Sequence, residues 1–159
     1  ADGLAMPFVV VSPQLPIAGD HWHEQADRLL DLVRQIEACY ATDPARRYLT
    51  GFSFGGNGVF DFAHRQPGDW AALWPVDATR IPEPDLVAPL WLSIGSSARP
   101  VMASTTARLG STALVPQATE ALAGSTRVHL DQGEGHVETA QKAYADVRIY
   151  RWLWRHRHS

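Results

Sequence analysis

One cysteine, Cys39, is all the chain contains, so an internal disulfide is excluded and compartment is left open. No apolar run approaches the roughly 20 residues of a membrane-spanning helix. Charge of either sign is sparse and interspersed: 14 Lys and Arg against 17 Asp and Glu leave a net charge of −3. There is no basic stripe for a nucleic acid, and no polybasic membrane patch beyond a short cluster at Arg155-His156-Arg157-His158. That cluster reads as a solvated end favouring a helix C-terminus. His21-x-His23 and His156-x-His158 lack a third ligand at useful spacing, which argues against a metal site. No leader pattern is visible. The chain begins at Ala1 without methionine, as a processed or trimmed product would, and the sequence does not decide between cytoplasm and export. Internal repeats and low-complexity segments are missing too. What is present is 45% hydrophobic over 159 residues, enough for one core and a single domain spanning 1–159.

The hydrophobic pattern alternates between short runs and helical stripes. Pro7-Phe8-Val9-Val10-Val11-Ser12-Pro13 is a continuous β-branched run closed by proline, predicting a strand buried on both faces. A helix is expected to open at Asp20 or His21, with Ala26, Leu29, Leu30, Val33, Ile36 and Tyr40 on one stripe. Thr42-Asp43-Pro44 is a turn. Further strands are expected at Arg47–Thr50, Trp70–Val76, Leu90–Ile94 and Thr126–Leu130. A helix after Gly55 must stop before Pro67. Pro82–Pro89 reads as a surface loop, and 98–115 has no clear period. Pro116 fits the first position of a helix ending near Ala123, and Glu138–Arg157 reads as helical with a break near Asp146. Strands alternating with helices predict an α/β fold: a mainly parallel sheet of about five strands flanked by helices.

The most informative residues are Gly51-Phe52-Ser53-Phe54-Gly55, directly after one apolar run and before a helical one. This is the G-x-S-x-G nucleophile elbow in its expected context. A serine on so tight a strand-to-helix turn needs a positive φ and minimal side chains two residues away on either side. The turn would lift the Ser53 hydroxyl off the sheet and aim a helix N-terminus at it, with the Phe54 N–H where an oxyanion would form. The alternative is a structural glycine turn.

The elbow, the order of the strands and Gly133-Glu134-Gly135-His136 together resemble the α/β-hydrolase superfamily. Within it the likeness is to small phospholipase/carboxylesterase and polyhydroxybutyrate-depolymerase-like or feruloyl-esterase-like hydrolases. It extends over Pro7–Gln14 with Trp22 after it, Tyr48–Gly56, Pro89–Leu92, His136, and the ending Ala143–Asp146 with Tyr150–Leu153. The resemblance implies a minimal α/β-hydrolase fold, Ser53 as nucleophile and His136 as general base and acid, with no cofactor. A serine hydroxyl is a poor nucleophile until an imidazole takes its proton. The alternative for His136 is a surface histidine in a glycine turn.

Two departures from the family pattern stand out. The family usually carries its acid after the strand matched by Leu90–Ile94, where this chain has Gly95-Ser96-Ser97-Ala98-Arg99-Pro100. Asp77, just past the Trp70–Val76 strand, is the best replacement; otherwise it is an ordinary turn aspartate. Asp131 and Glu134 are too near His136 in sequence to face its ring readily, and Glu138 is better read as a charge at a helix N-terminus. The family's N-terminal part, with its His-Gly oxyanion loop and a strand between the first two seen here, has no counterpart in the sequence. Either the Phe8–Val11 strand pairs directly with the Tyr48 strand, or a partner chain fills the gap, making self-association an expectation. Gln14 and the loop to Trp22 are the nearest candidates for a second oxyanion donor. Trp22 is the tryptophan expected at a substrate pocket; Trp70, Trp74, Trp91, Trp152 and Trp154 are expected to pack.

The leading functional expectation is a serine esterase acting on a small-molecule carboxylic ester. The alternatives are a non-catalytic binding or assembly domain of the same fold, and an acyltransferase or thioesterase using the same Ser–His pair.

Overall fold

A computed structural model of the chain describes residues 7–80, 85–99, 106–118 and 126–158. Among the described residues, five strands form one sheet: β1 (Tyr48–Phe52), β2 (Ala72–Val76), β3 (Leu90–Ile94), β4 (Thr112–Ala113) and β5 (Arg127–Asp131). Their order across the sheet is β1-β2-β3-β5-β4, and every pairing is parallel. Among the described residues these strands are accompanied by α1 (Ala26–Cys39), α2 (Phe54–Arg65), α3 (His136–Ala145) and α4 (Val147–Arg155), with further helical residues at 106–108.

The period-2 geometry of the central strands sorts their side chains into two cores. Leu73, Leu90, Leu92 and Ile94 face one side and pack with Val59, Phe60 and Phe62 of α2. Trp74, Val76 and Trp91 face the other and pack with Ala143 of α3 and Ile149, Trp152 and Leu153 of α4. Both faces of β2 and β3 are therefore covered, which is why these strands carry no outward polar alternation. Trp74, Trp91 and Trp152 are among the largest fully buried side chains. Trp154 is half-exposed instead, under the guanidinium of Arg46 at 4.5 Å from its ring centre.

Several helical boundaries follow from local chemistry. A 3-10 turn over Trp22–Gln25 leads into α1, so the first helical turn begins close to the expected His21. Helix α2 ends at Arg65, two residues before Pro67. Asp146 separates α3 from α4 and caps α4 by accepting the Arg148 N–H at 3.0 Å.

The strand expected at Pro7–Pro13 does not form. Residues 7–15 have no regular structure, and Val9, Val10 and Val11 are 50, 80 and 40% exposed. A β-branched run becomes a strand only where a neighbour accepts its backbone hydrogen bonds. Here Phe8 docks its ring on Tyr48 and Trp154, at 5.9 and 5.7 Å, instead of aligning its backbone with β1. Direct pairing of this segment with the Tyr48 strand is thereby excluded, and β1 is a margin of the sheet among the described residues. The fifth strand is β4, two residues in the stretch that lacks a period. Pro116 lies in a turn; most of the helix expected to follow it, and the first half of the Pro82–Pro89 loop, fall outside the described residues. The second half of that loop is not wholly surface, since Leu86 is buried in the core.

The two-core arrangement makes Trp152 a test of the α4 face. Trp152→Ala should destabilise the domain by about 3–5 kcal/mol, read as a lower denaturant midpoint with an unchanged m-value.

Candidate active site

Three connections leaving the same edge of the sheet, the C-terminal ends of β1, β2 and β5, meet in one place. The first is the turn after β1. Ser53 has φ 57° and ψ −118°, between the last residue of β1 and the first of α2. Its N–H donates to the Val76 carbonyl at 3.0 Å, continuing the β1–β2 ladder, while its own carbonyl accepts the Asn57 N–H at 3.2 Å, the first bond of α2. The N–H groups of Phe54, Gly55 and Gly56 are left outside the helical ladder, as at any helix start. The dipole of α2 adds positive potential there. The glycines do different work. A Cβ at Gly51 would run into the Gly55 carbonyl, whereas one at Gly55 would meet nothing within 4 Å. A Cβ at Gly56 would come within 2.9 Å of the Ala78 Cβ, so this glycine lets α2 touch the connection after β2.

That second connection carries Asp77, which is fully buried and has φ 44°. Ser53 and Asp77 are the two non-glycine residues with positive φ among the described residues. Such backbones cost energy and gather at functional positions. The Asp77 N–H donates to Ser93 O at 2.9 Å, and its Oδ1 accepts the Gly95 N–H at 3.0 Å. Its Oδ2 faces Nδ1 of His136.

His136 is the first residue of α3. Its Nε2 is 3.0 Å from Ser53 Oγ, and its ring lies against Phe52, 4.4 Å between centres. With Nδ1–H donated to Asp77, Nε2 is left as the acceptor for the Ser53 hydroxyl. Close packing of β3 on α3 holds this geometry: a Cβ on Gly95 would overlap the Thr139 hydroxyl.

The Asp77 connection is also fastened to α2 by Asn57, which is fully buried. The Asn57 Oδ1 accepts the N–H groups of Thr79 and Arg80 at 3.0 and 2.9 Å; its Nδ2 donates to Thr79 Oγ1 and Asp20 Oδ2. Arg80 then bridges Asp20 and Asp61, both at 2.8 Å. Burial works against the charge of Asp20, yet hydrogen bonds from Arg80 and Asn57 hold its carboxyl below the usual range. Hydrogen bonds to Asp61 and Asp20 push Arg80 above its usual value.

The structure thus brings Ser53, His136 and Asp77 into contact. The Phe54 N–H stands at the start of α2, beside the Ser53 hydroxyl's own residue. Trp22 packs on α2, where Gly58 makes room for its ring and Phe62 meets it edge-on at 6.2 Å. Gln14 is exposed in the irregular N-terminal stretch. Asp131 accepts the Ser96 and Gly133 N–H groups, and Glu134 pairs with Lys142, so neither faces His136. Ser97 donates to the Gly133 carbonyl at 2.5 Å. Asn57, Arg80 and Arg99, which surround the cluster, had no sequence signal: each acts through partners distant along the chain. Among the described residues no group of His, Cys, Asp and Glu could hold a metal ion, and no helix is long and apolar enough to cross a membrane.

Comparison with known proteins agrees with this architecture. No family model matches the sequence, and no curated protein does. A solved structure of a thermostable esterase superposes with a TM-score of 0.64 at 16% identity, covering 85% of this chain and 37% of that one. The chain therefore has the α/β fold of that esterase, and spans about a third of its length.

The glycine geometry makes a paired prediction. Gly51→Ala should lower stability by about 1–3 kcal/mol through overpacking, while Gly55→Ala, facing open space, should leave the melting temperature within a degree or two of the parent. Thermal unfolding of the two variants side by side reads the difference.

Proposed function

We propose that the chain is a serine hydrolase of carboxylic esters, with Ser53 as nucleophile, His136 as general base and acid, and Asp77 as the acid that orients the imidazole. The observation that carries this reading is the unbroken line of contacts from Ser53 Oγ to His136 Nε2, and from His136 Nδ1 to the buried Asp77.

In this reading the Ser53 Oγ attacks the ester carbonyl carbon as Nε2 of His136 takes its proton. Asp77 fixes the tautomer that leaves Nε2 free, and stabilises the imidazolium that forms. The oxyanion is met by the Phe54 N–H at the start of α2, where the helix dipole adds to the hydrogen bond. The protonated His136 returns its proton to the departing alkoxide, giving an alcohol and an acyl-serine. Water, deprotonated by the same imidazole, then releases the carboxylic acid and regenerates Ser53. Phe54 and Val137, exposed neighbours of Ser53 and His136, offer apolar surface for a small or aromatic ester. Such surface suits an uncharged acyl or alcohol group.

Hydrolysis of a short-chain p-nitrophenyl ester tests the assignment. Ser53→Ala should fall to background and lose labelling by a fluorophosphonate. Asp77→Asn should keep the fold but lose about 10⁴ in turnover, the cost of presenting the wrong tautomer. Equal rates for the parent and Ser53→Ala would reject the reading, and an unchanged rate in Asp77→Asn would reject Asp77.

A further inference from the structure

Arg99, five residues beyond the end of β3, reaches back to the buried pair. Its Nε lies 3.8 Å from Asp77 Oδ2, the oxygen that faces His136, and its Nη2 lies 3.5 Å from His136 Nδ1. The second contact is not a hydrogen bond in the tautomer described above, because Nδ1 already carries the proton donated to Asp77. Arg99 Nε is buried with no hydrogen-bond partner among the described residues. A guanidinium whose Nε makes no hydrogen bond beside a buried carboxylate brings the pair its charge.

The charges around the pair support that conclusion. Asp77 is fully buried, and a buried carboxylate needs a compensating cation. With His136 neutral, Arg99 is the guanidinium within 4 Å that supplies it, among the described residues. From the other elements the nearby charged groups are already engaged: Asp131 at the end of β5 accepts two backbone N–H groups, and Glu134 pairs with Lys142. On the helix that carries His136, Glu138 lies in the first turn with its carboxylate towards Gly135. Phe52 from β1 and Ser53 from the elbow bring no charge.

We propose that Arg99 is a positioning residue that keeps His136 in the neutral, proton-accepting form by neutralising Asp77 at rest and repelling the imidazolium. The effect on rate rests on the hydrolase reading; the effect on protonation does not. Without Arg99, Asp77 has only His136 to compensate it, so the imidazole should take up a proton at higher pH. The direction at the plateau is opposite. Arg99 also disfavours the imidazolium of the transition state, so removing it should not slow, and should slightly speed, turnover at alkaline pH.

The test is NMR titration of the imidazole signals of the whole chain, with the His136 signal assigned by its loss in His136→Gln. In Arg99→Gln and Arg99→Met the midpoint of the His136 titration should rise by about one pH unit, the effect of one nearby charge. Arg99→Lys should restore most of it. In parallel, the acid limb of kcat/KM should move up by the same amount, a loss of about tenfold near pH 6 in the neutral variants, with the alkaline plateau kept. An unchanged midpoint in either neutral variant that folds overturns the proposal. So does a loss of rate that is uniform across pH with no shift, the mark of a merely structural side chain. The titration needs no turnover, so absence of Ser53-dependent hydrolysis in the parent would count against the hydrolase reading alone.

Discussion

Parallel register is the constraint on which the rest depends. Phe52 stands opposite Val76, Val76 opposite Ser93, and Ile94 opposite Asp131, so β1, β2, β3 and β5 finish level with one another. The ladder then continues one step past the strand ends. Ser53 donates to Val76 and Asp77 donates to Ser93, which fixes the first residue of each connection before its loop has begun. Ser53 and Asp77 therefore stand on hydrogen-bonded backbone, and His136 on the first turn of a helix. A one-residue slip of β1 against β2 would invert the faces of the strand and carry Ser53 away from both partners.

Level strand ends bring backbones close, and the chain meets that crowding with small residues at particular points. Gly51 passes the Gly55 carbonyl, Gly56 passes Ala78, and Gly95 passes Thr139. Each contact joins a different pair of elements: β1 to α2, α2 to the Asp77 connection, β3 to α3. Asn57 completes the frame with four hydrogen bonds from one buried side chain. Satisfied on every side, it is a rigid link between the helix that begins at the elbow and the loop that presents the carboxylate. The positive φ angles of Ser53 and Asp77 persist because these contacts leave each backbone no relaxed alternative.

Legibility in the sequence followed the range of the interaction involved. The elbow was readable because its constraints are local: a strand, a serine and two glycines within five residues. The strands β2 and β3 were readable because full burial requires apolar runs whatever the partner, and β5 because its buried residues alternate. The same rule over-read Pro7–Pro13, since a β-branched run looks alike whether or not a neighbour accepts its hydrogen bonds. It under-read β4, whose two exposed residues borrow their conformation from β5. Asp77 could be placed at a strand end, but its burial and left-handed backbone belong to tertiary structure. Asn57 and Arg99 had no local signature at all. A buried asparagine and a surface one are spelled alike, and only the fold tells them apart.

Charge links the connection after β3 to the buried Asp77 carboxylate. The connection after β3 carries no carboxylate, and it contributes instead to one held just past β2. The Gly95 N–H binds one oxygen of Asp77, and Arg99, four residues on, approaches the other. Just past β2 that carboxylate stands where no solvent reaches, so its charge must be met by the protein itself. A backbone donor alone meets part of that need, because an N–H carries only a partial charge. The imidazole could add a full charge only by becoming protonated. A fixed cation beside the same oxygen compensates the carboxylate without any proton transfer. The absent carboxylate after β3 and the arginine in that loop are then two parts of one arrangement, in which β3 serves an acid it does not carry.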